Sequence, residues 1–338
     1  MKPDIHPRGI PYYLQVGGAL MLVYAYMQDV LLSLQAMTIH KDDNGLWQVV
    51  LDHGRISRIW SLVGLAMIVG GLLFFLIGFL LKRERKRRLR KSGHWPITTD
   101  AGGGGTFART RLTLRDLFKS FGWVGLLFFG GLLLFYLGAY QLLPESFRLS
   151  PGATALGGVS MQIAAIVAIP LYYRKSLHEI GLRGSPVHPR MLGYVLMFFI
   201  FTYAMSLATG TLGEWLGVNT NSYREQHISG ELHAALNQGW FLSMLPMLAT
   251  SLIAPLGEEL LFRGVLQSTL TAKWGPLLGV LASAFCFALI HVDLVLFLPI
   301  FLMGILFAVL YRITGTLWAP IWMHIFNNLF ASLSDLFH

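Results

Sequence analysis

The sequence predicts an all-α protein, a polytopic membrane helical bundle of about nine transmembrane helices, with eight as the alternative count. Three observations lead there. Only 13% of the 338 residues are charged while 54% are hydrophobic, against about 25% charged in an ordinary soluble domain. The mean hydropathy is +0.58. The apolar residues also gather into runs of about 20, the length a helix needs to cross a bilayer. An ordinary soluble enzyme, a disordered scaffold and a coiled coil are excluded by the same composition.

The first run, 12–34, is the weakest, because Gln15, Gln28 and Asp29 interrupt it. It continues through Tyr24 and Tyr26 without a small-x-small cleavage site, so it reads as a span rather than a removed signal. The run at 59–81 is clean. Then come 121–143, 153–173 and 191–213. A long run at 240–270 is broken near Pro255. It and the last three, 276–291, 294–311 and 315–333, follow one another with very short turns, so these four should pack as antiparallel neighbours. The single cysteine, Cys286, excludes an intrachain disulfide and reads as a packed thiol. Paired glycines at 70–71, 130–131 and 157–158 read as points of close helix approach.

The formal net charge of +9 would suggest nucleic acid in a soluble protein. Its location argues otherwise. Residues 82–119 hold twelve Lys or Arg and three acids, and the rest of the chain holds fourteen of each sign. The whole surplus sits between the second and third runs, which the positive-inside rule places in the cytoplasm. The segment 174–190, with four basic residues and one acid, falls on the same side. With nine spans the N-terminus is cytoplasmic and the C-terminus outside. Within the basic segment, Lys82–Lys91 leads into the glycine run 102–105, a flexible linker. Leu114, Leu117, Phe118 and Phe121 then repeat at helical spacing opposite Arg111, Arg115 and Lys119, the pattern of a short helix lying on an anionic inner leaflet. The expected partner of this charge is the lipid bilayer, and no nucleic acid is expected.

Ionisable residues inside apolar runs are few. Glu258 and Glu259 are the only acids well inside one, His291 and His324 the only histidines, and Arg263 the only arginine. A charge at the centre of a membrane helix costs about 2.5 to 3.5 kcal/mol on insertion scales, so such groups must face each other or a polar cavity. Glu259 and Arg263 are four residues apart on one face and can pair. Glu258 is turned about 100° away and is left as the unpaired carboxylate, the form a general base needs. The bland alternative is a salt-bridged kink after Pro255 that joins helices. From the cytoplasmic ends of their runs, Glu258, His291 and His324 lie roughly 20, 22 and 13 Å deep, so all three can meet near the midplane. A carboxylate and a histidine can activate water, while a second histidine and an asparagine amide can donate to an oxyanion. Hydrolysis of an amide bond fits this set. No serine or cysteine sits beside a base, which disfavours a covalent nucleophile. A divalent metal such as zinc, held by Glu258, His291 and His324, is the rival, although the helical HExxH pattern is absent.

The order and spacing of three motifs carry a resemblance. Glu258-Glu259-Leu-Leu-Phe-Arg263 fits EExxxR, Phe287-Ala-Leu-Ile-His291 fits FxxxH, and His324-Ile-Phe-Asn-Asn328 fits HxxxN. The chain resembles the CAAX protease and bacteriocin-processing family of intramembrane endopeptidases, also called Abi, which includes the Ras-converting CAAX prenyl proteases. The resemblance covers about residues 176–338, from the lead-in Glu179-Ile-Gly-Leu-Arg183 onward, and leaves 1–175 as an accessory transmembrane region with the basic cytoplasmic loop 82–120. It implies catalytic Glu258 and His291 on the attacking water, His324 and Asn328 as the oxyanion hole, and Glu259 and Arg263 in support. No cofactor is expected, although family members have also been classed as metalloendopeptidases, and the implied substrate is a membrane-associated peptide or protein. Asn327 is a second amide that spacing does not separate from Asn328. Two other classes remain open: a non-catalytic scaffold or bacteriocin-immunity protein on the same fold, and a transporter, against which the missing internal repeat argues.

Overall fold

In the computed structural model, residues 9–52, 58–91, 112–174, 176–220, 222–238 and 240–337 are described. Each of the nine apolar runs is helical over most of its length, but they do not all qualify as spans. Six helices are long and apolar enough to cross a membrane: α1 (Ile10–Gln35), α2 (Arg58–Lys91), α3 (Leu114–Leu142), α6 (Pro189–Trp215), α8 (Met244–Trp274) and α10 (Phe297–Thr314). The pair α4 (Pro151–Gly158) and α5 (Ser160–Tyr172), bent by 46° at Val159, makes a seventh if read as one broken span. The expected count of nine is not reached on these grounds, for physical reasons. Helix α9 (Pro276–Leu289) has 14 residues, about 21 Å of helix at 1.5 Å per residue, short of a core about 30 Å thick. Helix α11 (Trp318–Phe337) has 20 residues, but His324, Asn327, Asn328 and Asp335 interrupt its apolar character. Between α6 and α8 lies α7 (Tyr223–Leu236), a polar helix capped by Ser222.

The polar residues that weaken the first run are explained by packing. Gln15 and Gln28 are buried in protein, and Gln28 donates to the Trp60 carbonyl on α2. Gly18 allows this: a Cβ there would collide with the backbone of Phe75, so α1 and α2 touch main chain to main chain. Gly70 and Gly71 serve the same seam, but glycines 130, 131, 157 and 158 meet no neighbouring helix, so that part of the glycine reading is wrong.

The basic segment also differs from expectation. Lys82–Lys91 is the continuation of α2, whose 34 residues span about 51 Å and must project beyond the hydrocarbon. The amphipathic stretch from Leu114 is the first turns of α3, not a separate surface helix. Its start is fixed by a capping box, in which Asp116 accepts from the Thr113 backbone N–H at 3.1 Å and from its hydroxyl at 2.7 Å. The glycine run 102–105 lies outside the described residues.

A hairpin, β1 (Met37–Lys41) with β2 (Trp47–Leu51), follows α1 in a segment to which the sequence assigned no element. Its turn, Asp42-Asp-Asn-Gly45, needs the positive φ of 77° that Gly45 supplies. Asp42 accepts from the N–H groups of Leu46 at 3.0 Å and Asn44 at 2.9 Å. The Leu46 bond above all holds the Asp42 carboxyl below its usual range.

The largest buried cluster joins α8 to α11 with α5 and the start of α3. Phe287, Phe307, Leu310, Leu317 and Met323 are fully buried within it. Helix α8 is irregular, with Pro246 and Pro255 inside it and π-helical turns at Ala249–Ile253 and Leu260–Gln267. Proline removes a backbone donor and π turns absorb the misfit, a combination frequent at functional sites. Gly257 lets α5 approach this irregular segment: a Cβ there would lie 2.5 Å from that of Gln162.

Candidate active site

The adjacent residues Glu258 and Glu259 end the regular turn Ala254–Glu259 of α8, so their carboxylates leave the helix about 100° apart. That rotation gives them different partners. Glu259 is wholly buried, and its Oε1 lies 3.1 Å from Nη1 of Arg263, itself wholly buried. The guanidinium donates from Nη2 to the Gly304 carbonyl of α10 at 3.2 Å. Its flat face lies 4.2 Å from the Phe287 ring centre and 5.2 Å from that of Phe307. A planar cation that both pairs and stacks is what arginine supplies and lysine does not. The expected Glu259–Arg263 pair is therefore present, although Arg263 sits in a π turn and not in a regular one.

His324, on α11, joins the same carboxylate. Its Nδ1 is 2.9 Å from Glu259 Oε1, and Nε2 faces Glu258 Oε2 at 3.8 Å. With Glu259 ionised, Nδ1 carries the proton and donates. The imidazole packs beside Phe307, with ring centres 4.7 Å apart, and is 2% exposed. Four of the expected residues, Glu258, Glu259, Arg263 and His324, thus form one buried cluster from two helices. Spacing along α8 indicated the Glu259–Arg263 pair, but the bond from His324 to Glu259 comes only from the rotation of α11.

Glu258 has a partner that the sequence reading missed. Gln162 of α5 donates from Nε2 to Glu258 Oε1 at 3.0 Å. The available signal was a lone long amide in the apolar stretch 153–173, which attracts less notice than a charge. Gln162 Oε1 is buried and has no hydrogen-bond partner among the described residues. Glu258 therefore faces a neutral amide and an imidazole, while Glu259 has the guanidinium.

His291 and Asn328 lie at the edge of this cluster. His291 is in the turn after α9 and partly exposed, and its Nδ1 is 2.6 Å from the Phe287 carbonyl. That contact makes Nδ1–H the donor and leaves Nε2 as the acceptor. The turn is pinned on both sides. Val292 takes the unusual φ of 50°, and Asp293 accepts from the Leu296 N–H at 2.9 Å and from the Ser222 hydroxyl. Asn328, one turn beyond His324, donates to the Thr250 carbonyl at 2.9 Å, in the first π turn of α8. Asn327 donates to Asn328 Oδ1 at 3.4 Å, so the second amide supports the first. Neither His291 nor Asn328 is hydrogen-bonded to Glu258.

Among the described residues, no three His, Cys, Asp or Glu side chains converge as metal ligands. In the candidate set Glu258, His291 and His324, both imidazoles are held through Nδ1, His324 by Glu259 and His291 by the Phe287 carbonyl, which leaves each Nε2 directed elsewhere.

Comparison with known proteins gives one match. Residues 240–330 fit the family described as type II CAAX prenyl endopeptidase Rce1-like, a narrower stretch than the 176–338 of the motif resemblance. No curated protein and no solved structure matches the chain. The matched stretch holds all three motifs, from Glu258 to Asn328, on a helical multi-pass membrane scaffold. Residues 240–330 thus resemble the CAAX protease and bacteriocin-processing family, whose general activity is that of a CAAX-type intramembrane endopeptidase acting on membrane-associated peptides.

Proposed function

We propose that the chain hydrolyses peptide bonds of membrane-associated peptides or proteins by a glutamic mechanism, with Glu258 as general base. One observation carries this reading: of two adjacent buried carboxylates, Glu259 is held by Arg263 and His324, whereas Glu258 is held by the neutral Gln162 amide and faces the Nε2 edge of His324. Water bound between Glu258 and the free Nε2 of His291 loses a proton to Glu258 as its oxygen attacks the scissile carbonyl carbon. The tetrahedral oxyanion takes donors from His324 and from the second N–H of Asn328. As the C–N bond breaks, the leaving amine takes the proton back from Glu258. With His324 doubly protonated, Glu258, Glu259, Arg263 and His324 sum to zero charge, which suits a low-dielectric interior. Neither the cluster nor the proton transfers call on a metal.

In this reading the N-terminus and the loop 82–120 face the cytoplasm and its anionic leaflet, and seven or nine crossings put the C-terminus outside. Residues 1–175 act as an accessory region ahead of the protease core 176–338, lending it Gln162. The test is to compare the termini of membrane proteins in cells carrying the parent or Glu258→Gln. Termini present only with the parent identify substrates; full biological activity of a folded Glu258→Gln would instead establish a non-catalytic scaffold or immunity protein.

Gln162 acts as a positioning residue in this scheme. Gln162→Leu is expected to lower kcat by about 10- to 100-fold, the value of a hydrogen bond to a charged group, with KM unchanged. Cleavage kinetics in liposomes check this, and a parent-like kcat would remove Gln162 from the mechanism.

A further inference from the structure

Where the end of α2 meets the first turns of α3, three cations, Lys82, Arg85 and Arg115, line a small cleft, with a fourth, Lys119, beside Lys82. Lys82 and Arg85 come from the projecting end of α2, and Arg115 and Lys119 from the first turns of α3. The start of α1 closes the third side with Tyr12 and Gln15, and the space between is about 50 Å³, room for more than a single water. Lys119 is only 7% exposed, and its ammonium meets that of Lys82. Lys82 and Arg85 stand at the open rim. Arg115 is fixed by its guanidinium, 5.0 Å from the Tyr12 ring centre.

Like charges brought together and partly buried require a counter-charge, and among the described residues the nearby acids are committed elsewhere. Asp116, the carboxylate nearest to Lys82 and Lys119 among the described residues, accepts from Thr113 and from the Tyr172 hydroxyl, the latter at 3.3 Å. Glu84 is paired with Arg88 at 3.2 Å. Two polar atoms beside the cleft are buried without a partner among the described residues: Arg115 Nε, a donor, and Gln15 Oε1, an acceptor.

We propose that this cleft binds the phosphate of an anionic phospholipid headgroup. The phosphate oxygens take the Lys82, Arg85 and Arg115 donors, Lys119 adds its charge beside Lys82, and a headgroup hydroxyl donates to Gln15. The location agrees, because the cleft sits where α2 and α3 leave their apolar stretches, at headgroup level. A phosphate there bridges α1, α2 and α3. Helix α3 in turn touches α5 through the Ser120 and Tyr173 hydroxyls, 3.0 Å apart, so the bound lipid braces the side of the bundle that carries Gln162.

The experiment uses the full chain, delipidated in a non-ionic detergent, with thermal unfolding followed against added phosphatidylglycerol, phosphatidylcholine or inorganic phosphate. Phosphatidylglycerol is expected to raise Tm by several degrees, saturably, and phosphatidylcholine to leave it unchanged. The double variant Lys82→Gln/Arg85→Gln should bind phosphatidylglycerol about tenfold more weakly or worse. Arg83→Gln/Arg87→Gln removes the same charge from outside the cleft and should bind like the parent. A matching rise with inorganic phosphate would keep the phosphate site but assign it to the free anion. Parent-like binding by Lys82→Gln/Arg85→Gln, or equal weakening by Arg83→Gln/Arg87→Gln, overturns the proposal. Unfolding without lipid shows that both variants fold.

Discussion

Glu258→Gln is expected to lower kcat/KM for a membrane-anchored peptide by about 10³-fold, within the range seen when a general base is lost. The variant should unfold at the parent's temperature. The amide has the shape of the carboxylate, keeps an oxygen for the Gln162 donor 3.0 Å away, and leaves the pairing of Glu259 with Arg263 untouched. Proton acceptance is what disappears. Cleavage assays in liposomes, run beside thermal unfolding, separate the two effects. A folded variant with parent-like turnover would end the assignment of Glu258 as base.

The second large effect is on stability. Arg263→Ala removes the guanidinium paired with Glu259 and opens a void between Phe287 and Phe307. Removing one partner of a buried pair costs about 3 to 5 kcal/mol, a large part of the roughly 5 to 15 kcal/mol that holds a typical protein folded. Arg263→Ala should therefore unfold well below the parent and lose activity with the fold. Arg263→Lys should recover only part of the loss, because an ammonium cannot reproduce the flat stacking or the second bond to Gly304. Unchanged unfolding temperature in Arg263→Ala would show that the pair does not stabilise the core.

The two variants test the adjacent carboxylates separately. Glu258 is expected to matter for turnover and Glu259, through Arg263, for folding. Both follow from a rotation of about 100° between neighbouring residues on a helix, which directs one side chain at the guanidinium and the other at Gln162 and His324.

Glu258, Glu259 and Arg263 were visible in the linear sequence because charged residues are conspicuous in apolar runs, and four-residue spacing is enough to suggest a pair. His291 and His324 stood out for the same reason. Gln162 did not, since one neutral amide in a membrane helix has many roles. The hairpin at Met37–Leu51 was missed although Asn44-Gly45 is a strong turn signal, because its flanking strands are short. Six or seven of the nine expected spans meet the length and composition of a crossing helix; α9 is shorter than the others, and α11 carries the polar residues of the third motif.

By itself the sequence determined the solvent of this protein and the candidates for its chemistry: apolar runs set helix positions, the cluster of Lys and Arg at 82–119 set the charged face, and three motifs named the candidate site residues. Both kinds of information are local, since side-chain spacing follows from the helix period. Only the tertiary structure decided which groups touch. The bond of His324 to Glu259, the arrival of Gln162 at Glu258 across Gly257, and the meeting of Lys82 with Lys119 each depend on the rotation and tilt of one helix against another. Those are set by packing among residues far apart in the chain, where no local period carries the information.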